Sequence, residues 1–121
     1  MRLFLILGCL LAGLGVGLGA FAAHGLRSTL SGADLATFET GVRYQIYHAF
    51  ALLAVAGALA RWEAPAAVAA GWLFTAGIVL FSGSLYLLVL TGPRWLGAVT
   101  PLGGVAFLLG WALLAWTAIR G

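Results

Sequence analysis

Apolar residues run along the chain in four long blocks, 3–26, 44–60, 64–93 and 95–119, and no charged side chain interrupts any of them. The charges stand between the blocks, at Arg2, Arg27, Asp34, Glu39, Arg43, Arg61, Glu63, Arg94 and Arg120. A bilayer core of about 30 Å takes about 20 helical residues, with a range of about 17–25, so each block holds one crossing. An Arg or Asp at the bilayer centre costs about 2.5–3.5 kcal/mol, so charged residues mark the ends of spans. The pattern predicts spans at about 3–24, 42–60, 66–91 and 97–119 within a single membrane domain, residues 1–121. Block 64–93 is too long for one untilted crossing and too short for two, so its surplus belongs to tilt or to helix ends. The expected fold class is all-α, an integral membrane four-helix bundle.

Between the first two spans, Ser31 followed by Asp34 reads as a helix start, and Leu35, Phe38 and Val42 then recur at helical spacing. This predicts a short amphipathic interfacial helix before the second span, with Gly41 as the bend where the chain turns into the membrane. Glu39 and Arg43 stand one helical turn apart and can pair. The triplet Ala20-Phe21-Ala22 before Ala23 resembles a signal-peptide cleavage site, but the apolar run from Leu3 exceeds a usual signal core and favours a retained span.

Composition sharpens the class. Only 7% of residues are charged, against about a quarter in soluble domains. A soluble enzyme, a nucleic-acid binder and a disordered segment are thereby excluded. The net charge of +3 reflects scarce acids, because the six arginines stand singly and form no stripe for a phosphate backbone. The expected surroundings are a lipid bilayer, with no nucleic-acid partner. Four spans put both termini on one side, here side A. Arg2, Arg61 and Arg120 then face side A, while Arg27, Arg43 and Arg94 face side B, a tie that the N-terminal amine tips towards a cytoplasmic side A. A lone cysteine, Cys9, allows no internal disulfide.

The first span carries two helical stripes of small residues, one through Gly8, Ala12, Gly15 and Gly19, the other through Gly13, Gly17 and Ala20. Small residues let a second backbone approach closely, so Gly13, Gly15, Gly17 and Gly19 are expected to pack against other helices, in this chain or in a second copy. His24 continues the second stripe and is expected to face protein.

Polar residues inside the spans gather on side B. His24 closes the first span there, Tyr44, Gln45, Tyr47 and His48 open the second, Ser82, Ser84 and Tyr86 lie in the side B half of the third, and Thr100 opens the fourth. Intramembrane polar groups normally face the bundle or a wet cavity, so these nine residues form the candidate pocket. Three readings remain open: interhelical glue in an accessory or scaffold protein, a binding or transport module for a lipid headgroup or small polar molecule, and a cofactor-bearing electron-transfer subunit. The third is the weakest. Cys9 lies about 22 Å along the helix from His24, too far to join it at a metal. Glu39 is the sole third ligand within range, and two imidazoles on adjacent small-residue helices leave little room for haem. No span contains a carboxylate for coupled transport, and no Asp accompanies a Ser–His pair. No catalytic residue, metal or cofactor is expected.

The segments Gly19-Ala20-Phe21-Ala22-Ala23-His24-Gly25-Leu26, Phe38-Glu39-Thr40-Gly41-Val42-Arg43-Tyr44-Gln45-Ile46-Tyr47-His48-Ala49, Phe81-Ser82-Gly83-Ser84-Leu85-Tyr86 and Thr100-Pro101-Leu102-Gly103-Gly104 resemble the YgdD-like family of small bacterial inner-membrane proteins. The resemblance runs in order over nearly the whole chain. It implies a four-span protein of the bacterial plasma membrane and supplies no established activity. Its motifs coincide with the side B polar residues.

Overall fold

The computed structural model describes residues 1–121. Four helices are long and apolar enough to cross a membrane: α1, Arg2–Leu26; α2, Gly32–Arg61; α3, Pro65–Thr91; and α4, Leu96–Arg120.

Local chemistry sets their ends. Ser31 is extended, and its hydroxyl accepts the Asp34 N–H at 3.1 Å, opening α2 with an N-cap. The amphipathic segment and the second span form one unbroken helix. The helix continues through Gly41; a Cβ there would stand 2.8 Å from Cε1 of Tyr86, so this glycine lets α3 approach closely. Arg43 donates to Thr40 Oγ1 at 3.3 Å and does not turn to Glu39. Pro65 opens α3, where its missing N–H has no helical partner to lose. At the other end of α3, Gly92 takes φ +97°, the left-handed conformation of a helix C-cap. Helix α4 begins a turn before Thr100, so Pro101 lies inside it and not in its first turn. Its missing N–H removes one bond that the Gly97 carbonyl would otherwise accept.

Two turns are π-helical, Ala22–Leu26 at the end of α1 and Ile78–Ser82 within α3. An extra residue in a turn rotates the remainder of the helix and re-aims its side chains. The turn within α3 carries Phe81, which meets α4, and Ser82, which meets α2.

Helix α2 is central. Within the most apolar stretch of each span, 44% of α2 is buried, against 17% of α1. Helix α1 packs along α2, α4 packs along α3, and α1 and α4 do not pack on each other. The bundle is therefore open, with α1 at an edge. Its main core joins Phe4, Leu52, Val55, Phe74, Ile78 and Phe107, and a smaller cluster joins Ala22, Leu26, Phe38 and Val42.

The small-residue stripes divide accordingly. Gly8 and Gly15 are buried against α2; a Cβ would stand 2.7 Å from Leu53 Cδ2 at Gly8 and 2.6 Å from Ile46 Cγ1 at Gly15. Gly19 lies against Val42. Gly13 and Gly17, expected to pack, are exposed and meet nothing within 4 Å. At 3.6 residues per turn the two stripes are roughly 135° apart, and an edge helix with one main neighbour buries only one of them. His24 follows the second stripe and is exposed too, contrary to its expected place against protein.

Candidate functional site

Of the nine candidate pocket residues, the structure joins six through hydrogen bonds and leaves three outside. The first link crosses three helices. Tyr86 on α3 donates its hydroxyl to Gln45 Oε1 at 2.7 Å, and Gln45 Nε2 donates to the Leu11 carbonyl of α1 at 2.9 Å. A carbonyl can only accept, so the amide orientation follows from its partners. One turn from Tyr86, Ser82 donates to the Gly41 carbonyl at 2.6 Å and ties α3 to α2 a second time. Gln45 is 2% exposed and Ser82 fully buried, so these bonds replace water that neither group can reach.

The second link centres on His48, which is buried at the junction of α2 and α4. Trp111 Nε1 lies 3.1 Å from His48 Nε2, and His48 Nδ1 lies 2.8 Å from the Tyr44 carbonyl. An indole N–H can only donate, so Nε2 is the acceptor; the carbonyl can only accept, so Nδ1 carries the proton. Both nitrogens of a neutral ring are thereby engaged. The ring also stacks on Phe107, 3.5 Å between centroids with 6° between planes. Metal ligation or proton acceptance at His48 requires a free lone pair, and the Trp111 bond occupies it.

A third link joins α3 to α4. Ser84 and Thr100 share a hydroxyl–hydroxyl bond at 2.5 Å, and Ser84 also donates to the Phe81 carbonyl at 2.9 Å. No buried side-chain nitrogen or oxygen lacks a partner.

The residues left outside correct the expected pocket. His24 is exposed on the open face of α1 and takes no part in this network. Tyr44 and Tyr47 are partly open, with rings 5.6 Å apart, and they supply aromatic surface to the flank of α2. No side B cavity gathers the polar side chains, because they are bonded to one another and to backbone. Tyr44 and His48 instead reach an apolar groove of about 490 Å³ between α2 and α4, walled by Phe81, Phe107, Leu108 and Trp111.

Three partners were not legible as site residues: the indole of Trp111 and the carbonyls of Leu11 and Gly41. An indole N–H deep in a span needs an acceptor, and that requirement was the available signal for Trp111. The two carbonyls carry no mark in the sequence.

Apolar helices joined by short polar links, each internally satisfied, define a small multi-pass membrane protein. A family described as "Protein of unknown function (DUF423)" matches residues 18–104. UPF0382 membrane protein YwdK of Bacillus subtilis (strain 168) is 49% identical over 121 residues, covering 99% of this chain and 98% of that protein. A UPF0382 membrane protein of Staphylococcus aureus (strain bovine RF122 / ET3-1) is 49% identical over 114 residues, covering 94% and 93% of the two chains. The chain belongs to this family of small membrane proteins of unknown function. No solved structure matches it.

Proposed function

We propose that the chain is a non-enzymatic accessory or scaffold protein of the bacterial plasma membrane, with both termini on the cytoplasmic side. The observation that carries this reading is that every buried polar side chain is bonded within the chain. Catalysis and binding need a polar group that is free to engage something else, whereas the network around Gln45 and His48 is used up in fixing how the helices meet. A short polar link is the kind of contact that sets register between apolar helices. Interaction then falls to the outer faces, and the open stripe of Gly13 and Gly17 on edge helix α1 suits a second copy of the chain.

The test compares wild type with Tyr86→Phe in lipid nanodiscs, by thermal unfolding and by mass spectrometry of bound small molecules. The expected result is lower stability with the same bound molecules. A stoichiometric small molecule that leaves with the hydroxyl would overturn the scaffold reading in favour of a binding module.

A further inference from the structure

At the side A end, away from the polar network, the turn between α2 and α3 and the last turn of α4 enclose a recess of about 550 Å³. Arg61, Glu63 and Arg120 all line it, together with Trp62 and Trp116. The cost of burying charge puts these three ionic side chains at the helix ends, and the fold brings them around one opening. Each guanidinium lies over an indole: Arg61 Cζ is 5.6 Å from the Trp62 centroid, and Arg120 Cζ is 5.4 Å from that of Trp116. Stacking of this kind orients a guanidinium while leaving its edge N–H groups available, and those groups match a phosphate.

The charge is mixed, and this narrows the ligand. A purely anionic group would be drawn to the two arginines but repelled by Glu63. A phosphate that carries its own ammonium satisfies both signs. A primary ammonium can donate to a carboxylate, whereas a quaternary one has no N–H to give. A second, more apolar recess of about 720 Å³ shares the wall Trp62–Pro65 and passes Leu59 and Val68. That continuity suits the upper part of an acyl chain and selects a lipid over free phosphate.

We propose that this recess binds the headgroup of a phosphatidylethanolamine-type lipid, with Arg61 and Arg120 donating to its phosphate and Glu63 accepting from its ammonium. None of these residues belongs to the network behind the scaffold reading, so the two stand or fall separately.

The test loads the full chain into micelles with equal amounts of phosphatidylethanolamine, phosphatidylglycerol and phosphatidylcholine of identical acyl chains, and reads retained lipid by native mass spectrometry. Phosphatidylethanolamine is expected to be retained above the other two. The Arg61→Gln/Arg120→Gln double variant loses that retention about tenfold, the scale of a lost charge-assisted hydrogen bond. Glu63→Gln abolishes the preference over phosphatidylglycerol, and excess inorganic phosphate displaces nothing. All three side chains are exposed, so the variants keep the fold. The proposal is overturned if wild type retains phosphatidylglycerol or phosphatidylcholine equally well, if the double variant retains lipid as wild type does, or if inorganic phosphate empties the site.

Discussion

Trp111 on α4 donates its indole N–H to Nε2 of His48 on α2 at 3.1 Å, and this contact determines which nitrogen of the imidazole holds the proton. With Nδ1 bonded to the Tyr44 carbonyl, the ring is confined to one neutral tautomer. Nitrogen-15 spectra of the histidines should show His48 as Nδ1–H alone. Trp111→Phe keeps an aromatic ring and removes only the donor, so it should cost about 0.6–1.7 kcal/mol and let the second tautomer appear. A mixture of tautomers in wild type would contradict the assigned bond.

Tyr86 and Gln45 form a link that a double-mutant cycle isolates. Tyr86→Phe leaves Gln45 Oε1 without its donor, and Gln45→Leu leaves the Tyr86 hydroxyl without its acceptor. Each single change should lower stability by about 1 kcal/mol or somewhat more, since a buried group is left unpaired. Once one partner is gone, losing the other cannot break the Tyr86–Gln45 bond a second time, although Gln45→Leu still frees the Leu11 carbonyl. The double variant should therefore cost less than the sum of the two, measured by unfolding in micelles. Strict additivity would mean the two side chains do not interact.

The spans were legible because the cost of burying charge forces Arg and Glu to helix ends, a constraint that acts on the sequence directly. For the same reason Gln45, His48, Ser82, Ser84, Tyr86 and Thr100 could be recognised as inward-facing: a polar side chain within a span must find a partner. Which partner was not legible. Leu11 and Gly41 act through carbonyls that every residue possesses, and the π turn at Ile78–Ser82 that carries Ser82 has no composition of its own. His24 was misplaced, and Gly13 and Gly17 have no neighbour within this chain, because periodicity reveals that a helix has faces, but not how many neighbours it has. Helix α1 lies at an edge of the bundle, so one small-residue face was left open.

That asymmetry makes the glycines of α1 separable by mutation. Gly15→Leu drives a side chain into Ile46 and should destabilise the fold by about 1–3 kcal/mol or more, as overpacking does. Gly17→Leu points into open space and should leave monomer stability within about 0.5 kcal/mol. If copies pair through the open stripe, exposed Cys9, about 40° around the helix from Gly13, should form a disulfide between copies under mild oxidation in membranes. Gly13→Leu or Gly17→Leu should then suppress that cross-link. A cross-link that forms equally well in both variants would remove the stripe as the contact.

The two histidines should respond in opposite ways to the same substitution. His48→Ala deletes a ring stacked 3.5 Å from Phe107, opens space in the core and leaves the Trp111 N–H without its acceptor. The combined loss of packing and hydrogen bonding should cost about 2–4 kcal/mol. His24→Ala removes an exposed side chain from the last turn of α1 and should change stability by no more than about 0.5 kcal/mol. Thermal unfolding of the two variants side by side separates a histidine held by Tyr44, Phe107 and Trp111 from one on an open face. Comparable losses at both positions would show that His24 packs against protein after all, and the open edge assigned to α1 would have to be given up.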